Sequence, residues 1–210
     1  GEDIKHVNNG SGFETIYGDQ IKQAMRAITN SIETAIGSAA YVASSRAYGT
    51  AGTTPFGSNF YEIAEVRQIL MDNGCPFDGN LSLVVNSLAG TNLRQLAQLQ
   101  KVNEAGGSDM LRQGELLNLQ GFMLRESAGV AAHTAGAGTG ADINNGSGEA
   151  IGQTTLTFDG MTVNTTGIKA GDVITGAADA INKYVVGTGS TATGGDIIIN
   201  NPGLRVAVAD

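Results

Sequence analysis

The chain of 210 residues has no tryptophan, 5% aromatic residues, a single cysteine and two histidines. One cysteine, Cys75, cannot form an intramolecular disulfide, so nothing points to an oxidising compartment. His6 and His133 lie far apart, without a cysteine or carboxylate at metal-ligand spacing. We therefore expect both histidines to be solvated surface side chains, and Cys75 to be a buried or idle thiol rather than a nucleophile.

Positive charge is also scarce, because 12 Lys and Arg residues stand against 20 Asp and Glu residues and leave a net charge of -8. Residues 1–132 hold nine basic against thirteen acidic residues, and residues 133–210 hold three against seven, so each part carries -4. The basic residues are scattered singly, whereas phosphate-binding surfaces cluster them. If DNA is nearby, we expect this chain to enclose it rather than to read its sequence.

Long hydrophobic runs are missing as well. The most apolar helical stretch, residues 34–45, is bounded by Glu33 and Arg46 and is far shorter than the roughly 20 residues that cross a bilayer. Residues 1–5 show no basic region followed by an apolar one, so no signal peptide is predicted. These features predict no membrane span and favour assembly in the cytosol.

The sequence does contain a long amphipathic helix pattern over residues 19–47. Asp19 is a suitable N-cap, and a helix of this extent would span roughly 43 Å. Gly37, inside the pattern, costs about 1 kcal/mol relative to Ala, so we expect another backbone to approach it or the helix to bend there. Apolar residues recur at spacings of four and three and form one stripe: Ile21, Met25, Ile28, Ile32, Ala35, Ala39 and Val42.

The next part of the chain predicts a compact α+β unit. Asn59 and Glu62 have the spacing of a capping box at the start of a helix. The pattern predicts a helix over residues 60–73 that ends at Gly74, followed by a strand over 81–85. A second helix is predicted to open at Thr91 or Asn92 and to carry Leu93, Leu96, Leu99 and Val102. Further strands are predicted between Ser108 and Glu126.

The remainder is rich in Gly, Thr and Asn and predicts a linker followed by a small antiparallel barrel or sandwich. Residues 129–152 offer almost nothing to bury, which is typical of a linker. Asp159-Gly160, between two alternating runs, is a strong hairpin signal. Strands are expected at residues 155–158, 161–164, 173–174, 183–186, 197–199 and 204–208, with a turn over 167–172.

Three further patterns imitate ligand sites. The glycine-rich segments 146–152 and 187–194 neither lie between a strand and a helix nor contain Gly-Lys-Ser/Thr, so we interpret them as turns rather than phosphate loops. Residues 142–146 begin like a calcium loop, but Gln153 stands where the twelfth-position Glu is required. We assign no catalytic, cofactor-binding or metal-binding residue and expect no enzyme.

The order of these elements and several local sequences resemble one protein family. The features are the opening Gly1-Glu2-Asp3, the long helix, the helix exit Gly74-Cys75-Pro76, the strand at 81–86, and residues 103–114 running into 121–127. On these features, residues 1–126 resemble the major capsid (coat) proteins of tailed double-stranded DNA bacteriophages, the fold named for the Hong Kong ninety-seven phage. Residues 153–208, most closely at 166–174, resemble the β-barrel insertion domain of the short-tailed Salmonella phage coat protein.

The resemblance implies an α+β phage major capsid fold with a long spine helix, an axial α+β domain and a small all-β barrel insertion. Residues 1–58 would be a remnant of the extended loop and the spine helix of the peripheral domain, 59–132 the axial domain, 133–152 a Gly-rich linker and 153–210 the insertion domain. Family members have an N-terminal arm and return from the insertion to complete both main domains. We therefore expect this chain to be a fragment or the ordered part of a longer protein.

The resemblance also implies a structural subunit of a phage or prophage, assembled in the bacterial host cytoplasm. It would form pentamers and hexamers of an icosahedral virion capsid that encloses double-stranded DNA. Scaffolding and portal proteins are the implied partners, and no cofactor, membrane or small-molecule substrate is expected. The alternatives are an encapsulin-like shell protein, which shares the fold but not normally this insertion, and an extracellular adhesin or filament protein.

Overall fold

The computed structural model describes residues 13–50, 52–101, 118–162, 166–177 and 179–209. These residues form a mixed α+β protein that combines a long helix, a three-stranded sheet with short helices, and a five-stranded curled sheet. The predicted α+β class is thereby confirmed. Predictions that concern residues 1–12 and 102–117 lie outside the described residues. The strand pattern predicted between Ser108 and Glu126 falls only partly among them, and its described part, from residue 118 onward, does form strands.

The first helix, α1, spans Phe13–Ala43 without interruption and is 31 residues long, or roughly 46 Å. It begins before Asp19, so the predicted N-cap is wrong. Asp19 lies inside the helix, where its carboxylate pairs with Lys22 at 3.2 Å. The helix also ends before residue 47, because Ser44 turns back and donates from its N–H and its hydroxyl to the carbonyl of Tyr41.

The next part of the chain folds into an α+β unit around a small sheet. The strand order is β1-β3-β2, in which β1 and β3 are parallel and β2 and β3 are antiparallel. The elements are α2 (Tyr61–Asp72), β1 (Ser82–Val85), α3 (Ser87–Gln95), α4 (Ala97–Gln100), β2 (Asn118–Leu119) and β3 (Phe122–Glu126).

Helix α2 lies close to its predicted position, but the capping box before it does not form. The Asn59 side chain accepts from the N–H of Tyr61 at 3.0 Å. Glu62 instead accepts from the N–H of Phe56 at 3.3 Å, which holds the preceding loop against the helix. The acidic residue therefore fixes the loop rather than the helix start.

The helix predicted to open at Thr91 or Asn92 begins earlier, as α3. The Asn86 side chain caps it by accepting from the N–H of Ala89 at 2.8 Å. Leu96 is extended, with φ -65° and ψ 121°, so the predicted single helix is split into α3 and α4. The short pieces allow leucines of both to reach one core.

The first hydrophobic core lies between these helices and the three-stranded sheet. Ile63 on α2, Leu93 on α3 and Phe122 on β3 are at most 2% exposed. The core residues are Phe56, Ile63, Val85, Ala89, Leu93, Leu96, Leu99, Phe122 and Leu124.

The second unit is a five-stranded sheet in which every neighbouring pair is antiparallel, in the order β4-β5-β8-β7-β6. It encloses a second core of Leu156, Phe158, Met161, Tyr184, Ile197, Ile199 and Leu204. The strands are β4 (Asp142–Ile143), β5 (Thr155–Asp159), β6 (Val173–Gly176), β7 (Asp179–Thr188) and β8 (Gly195–Ile199). Closure of this sheet into a barrel stays a prediction.

The hairpin predicted around Asp159-Gly160 is wrong. Strand β5 pairs with β4 on one side and with β8 on the other, so Asp159 lies opposite Asp142 rather than in a hairpin turn. Thr162 forms an isolated bridge with Thr139. Gly160 does adopt the left-handed conformation that the turn signal requires, with φ 68°. Only the left-handed glycine agrees with the prediction, because the chain on either side of it pairs with other segments.

A second correction concerns residues 204–208, which were predicted to form a strand. Within them Val208 makes an isolated bridge with Glu149, and the flanking residues are not in a sheet. Leu204 contributes to the second core instead. Glu149 itself is 2% exposed, and its carboxylate accepts from the N–H of Thr157 at 3.0 Å. The Gly-rich segment 133–152 therefore carries β4 and a buried carboxylate that pack on the second unit.

A close backbone contact accounts for Gly37 in the middle of α1. A Cβ at Gly37 would lie 3.1 Å from the carbonyl oxygen of Gly129. A Cβ at Gly129 would lie 2.6 Å from the Cβ of Glu33, whose carboxylate accepts from the Ser127 hydroxyl at 2.9 Å. The two glycines let the chain after β3 lie directly against α1.

Replacing Gly129 with alanine is expected to lower the free energy of unfolding by about 1–3 kcal/mol, because the new methyl overlaps the α1 backbone. Urea denaturation followed by circular dichroism measures the change. Gly18→Ala in α1 is the control, since no atom lies within 4 Å of its Cβ. Its better helix propensity should raise stability by up to about 1 kcal/mol. The same sign for both variants would contradict the close contact.

Candidate assembly surface

Helix α1 exposes a row of large apolar side chains along one face. Each is between 49% and 64% exposed, and residues 19–33 of the helix are exposed throughout. A contiguous apolar surface of this length is uncommon on an isolated protein and marks a surface that another element covers. We call it the apolar stripe; it comprises Tyr17, Ile21, Met25, Ile28, Ile32 and Ile36.

The C-terminal end of α1, in contrast, is held to the five-stranded sheet by hydrogen bonds to backbone groups at and just beyond the helix end. The Asn200 carboxamide, just after β8, donates to the carbonyls of Val42 and Ser44 at 2.6 and 2.8 Å. The N–H of Ala47 donates to the carbonyl of Lys183 on β7 at 3.2 Å. The bond to Val42 satisfies a carbonyl that the helix end leaves free, and together the three bonds hold α1 at one end.

A cluster of polar side chains lies beneath this attachment. The guanidinium carbon of Arg46 lies 4.6 Å from the ring centroid of Tyr184, and its Nη2 donates to the carbonyl of Gly203 at 2.9 Å. The Tyr184 hydroxyl donates to Asp179 and accepts from the N–H of Arg205 at 2.9 Å. We call Arg46, Asp179, Tyr184 and Asn200 the polar anchor.

The electrostatics of the polar anchor follow from burial, since Tyr184 is 1% and Asp179 5% exposed. Burial alone would raise the pKa of the Asp179 carboxyl, but hydrogen bonds from Tyr184 and Asn182 and the charge of Arg46 lower it below its ordinary value. Burial, and the hydrogen bond donated to Asp179, raise the pKa of Tyr184. Burial also lowers the pKa of Arg46. Around neutral pH, Asp179 is therefore a carboxylate and Tyr184 a neutral phenol.

His133 forms a second polar link between α1 and the sheet. Its Nε2 lies 2.6 Å from the carboxylate of Asp172, and its Nδ1 lies 3.3 Å from the hydroxyl of Tyr41 on α1. Since a carboxylate accepts, Nε2 carries a proton in this arrangement. Asp172 also accepts from the N–H of Gly136 and of Lys169. The expectation of a solvated His133 is wrong, because tertiary contacts bury most of its side chain.

The other residues weighed in the sequence do not converge on one site. Cys75 is partly exposed, and its thiol contacts the carbonyl of Pro76 at 3.7 Å. Asp142 and Asn144 lie beside Asp159, whose carboxylate accepts from Asn144 at 2.8 Å. His6 lies outside the described residues. Among the residues that the structure describes, no three or more His, Cys, Asp or Glu side chains form a group suited to a metal ion.

Cavities near these elements are small or open. A cavity of ≈ 30 Å³ lies beside the polar anchor and is lined by Arg46, Ile181, Lys183 and Arg205, among others. It has room for water-sized molecules and is far smaller than a substrate pocket. A wider depression, lined by residues 146–150 and 207–209, is open to solvent. Neither cavity offers a substrate-sized pocket, and the apolar stripe is the longest row of exposed apolar side chains on one described helix.

No protein-family model matches the chain, and no curated protein sequence matches it. In the described part of the chain, no helix combines the length and the apolar character needed to cross a membrane.

The Tyr184→Phe variant tests the polar anchor. Loss of the hydroxyl removes the donor to the Oδ2 of the buried Asp179 carboxylate, while Oδ1 keeps its bonds from Asn182. The free energy of unfolding should therefore fall by about 1–3 kcal/mol at neutral pH. Tyr61→Phe is the control, because Tyr61 is 69% exposed and its change should stay within about 0.5 kcal/mol. Equal losses in both variants would contradict the role of the hydroxyl.

The pKa directions of the polar anchor also set a pH dependence. The folded pKa of Asp179 lies below its unfolded value, so its contribution is present above about pH 4 and is lost as pH falls through the folded pKa. The folded pKa of Tyr184 lies above its unfolded value, so its contribution is present below about pH 10 and is lost as pH rises further. Urea denaturation at a series of pH values should show the free energy of unfolding falling at both the acid and the alkaline end. The Asp179→Asn variant should lose less stability at the acid end.

Proposed function

We propose that this chain is a structural subunit of a phage or prophage capsid, acting by self-association rather than by catalysis. The observation that carries the proposal is α1, a continuous 31-residue helix whose apolar stripe is left uncovered by the described residues. A helix in water draws most of its stability from packing an apolar face. A stripe that the described residues leave exposed is therefore expected to be covered, either by further chain of a longer protein or by neighbouring subunits of an assembly.

The arrangement of the remaining elements supports this proposal. In it, α1 acts as the spine, residues 59–132 act as the axial domain around a symmetry axis of pentamers and hexamers, and residues 153–210 act as the insertion domain. Two separate hydrophobic cores, one in each of the latter two regions, suit two bodies carried by one spine. In this proposal, the contacts of Arg46, His133 and Asn200 attach the spine to the insertion domain.

Charge supports a container rather than a nucleic-acid-binding protein. The net charge of -8 and the scattered basic residues favour an inner wall that repels packaged double-stranded DNA. We propose that the subunit encloses DNA without sequence-specific binding, that the site of assembly is the bacterial cytoplasm, and that scaffolding and portal proteins are its partners.

The proposal is tested by electron microscopy of the full-length protein expressed together with the products of neighbouring genes. Closed particles of uniform diameter that contain DNA are expected. Closed particles without DNA, formed by the protein alone, would favour an encapsulin-like shell. Fibres would favour a filament protein, and monomers with catalytic turnover would overturn the proposal.

A further inference from the structure

We propose that the small cavity beside the polar anchor binds one halide-sized anion, such as chloride. The cavity has a volume of ≈ 30 Å³ and is lined by residues from four parts of the chain. These are the segment just after α1, the C-terminal end of α2, strand β7 and the segment around Arg205. Binding at this cavity does not depend on the proposed capsid function.

Positive charge is concentrated around the cavity. Arg46, Lys183 and Arg205 all line it, although the whole chain has only 12 Lys and Arg residues and a net charge of -8. Two carboxylates oppose these three cations. Asp72 lines the cavity as well, and Asp179 lies close enough to Arg46 to affect its charge, but is buried within the polar anchor. The surroundings of the cavity are therefore positive in an acidic protein.

The three cations are not neutralised by direct ion pairs. Within the described parts of the chain, the ion pairs that form lie elsewhere. Lys183 donates to the carbonyl of Gly49, which is a neutral group. Arg205 reaches the Asn73 side chain and the Asp72 carbonyl at 3.5 Å each. Hydrogen bonds of that length are weak, so the Arg205 guanidinium keeps donor capacity for a closer acceptor.

Arg46 provides an independent sign that the cavity has an occupant. Its Nη1 and Nη2 donate to the carbonyls of Ser45 and Gly203, and its guanidinium lies over the ring of Tyr184. Its Nε is buried and has no hydrogen-bond partner among the described residues. A buried N–H of a charged group is costly to leave without an acceptor. Because Arg46 lines the cavity, an occupant of the cavity can supply that acceptor.

Electrostatics favour an anion over a water molecule in this position. Burial lowers the pKa of Arg46, and the positive charge of Arg205 lowers it as well, whereas Tyr184 and Asp179 act in the opposite direction. Like charges repel more strongly where water is partly excluded. A water molecule would satisfy the Nε of Arg46 but leave this repulsion in place. An anion would satisfy the Nε and offset the repulsion.

The volume of the cavity limits the class of anion. One water molecule occupies about 30 Å³ in the liquid, and a chloride ion is of similar size. Pockets for organic ligands are about tenfold larger or more. The site therefore suits chloride or bromide and excludes a large organic anion such as gluconate. The lining residues come from α2 as well as from β7, so a bound ion would join the first unit to the second.

The test is urea denaturation of the full chain while sodium chloride replaces sodium gluconate at constant ionic strength. A ligand that binds only the folded state stabilises it by mass action, so the urea midpoint should rise with chloride concentration. Arg205→Gln should weaken chloride binding about tenfold or more, because hydrogen bonds to charged groups contribute that much. The N–H of Arg205 that donates to Tyr184 is kept in this variant.

Arg125→Gln is the matched control. It removes the same charge from an exposed position on β3 that does not line the cavity, so the chloride dependence should equal that of the wild type. A wild-type midpoint that does not change with chloride would overturn the proposal, since the cavity would then hold water or a carboxylate from elsewhere in the protein. Equal chloride dependence in the wild type and Arg205→Gln would also overturn it.

Anomalous diffraction from wild-type crystals grown in sodium bromide gives a second readout, which does not depend on the folding of a variant. Bromide replaces chloride and can be located by its anomalous scattering. A bromide peak in the cavity, next to the guanidinium groups of Arg46 and Arg205, is expected. Bromide at other surface positions alone would be an adventitious ion only and would contradict the proposal.

Discussion

The structure depends on a long helix that is held at one end and left uncovered along most of its length. An apolar face in water favours burial by roughly 25 cal/mol for each Å² removed from solvent. In α1 much of this stabilisation is not realised, since the residues of the apolar stripe from Ile21 to Ile36 are more than half exposed. The polar links at the other end fix the direction of the helix without covering its stripe. The described residues thus leave the apolar stripe of their longest helix without a packing partner over most of its length.

The polar anchor shows how the end of such a helix can be held by a few directional contacts. Asp179 and Tyr184 are buried, and a buried hydrogen bond to a charged group is costly to break because water does not replace it. Asn200 adds two bonds to carbonyls at the helix end. Apolar packing alone is non-directional, whereas these bonds have a defined geometry. They therefore set the orientation of α1 relative to the sheet.

The sequence predicted well those features that depend on local periodicity. The long helix, α2 and the strands at Leu83, Tyr184 and Ile197 follow from spacings of three to four or of two residues. The error at Asp159-Gly160 has a different origin: the left-handed conformation of Gly160 is a local property, but β5 pairs with β8, more than thirty residues away. The sequence next to residues 159–160 contains no signal for pairing with so distant a strand.

The buried polar contacts were beyond prediction for a related reason. His133 and Asp172 are separated by 39 positions and meet because the Gly-rich segment after residue 133 folds onto the second unit. Gly136 illustrates this folding, because its N–H donates to the Asp172 carboxylate. A Cβ at position 136 would lie 2.8 Å from that carboxylate, so the close approach requires glycine. The glycine content that suggested a loose linker is thus a condition for close packing.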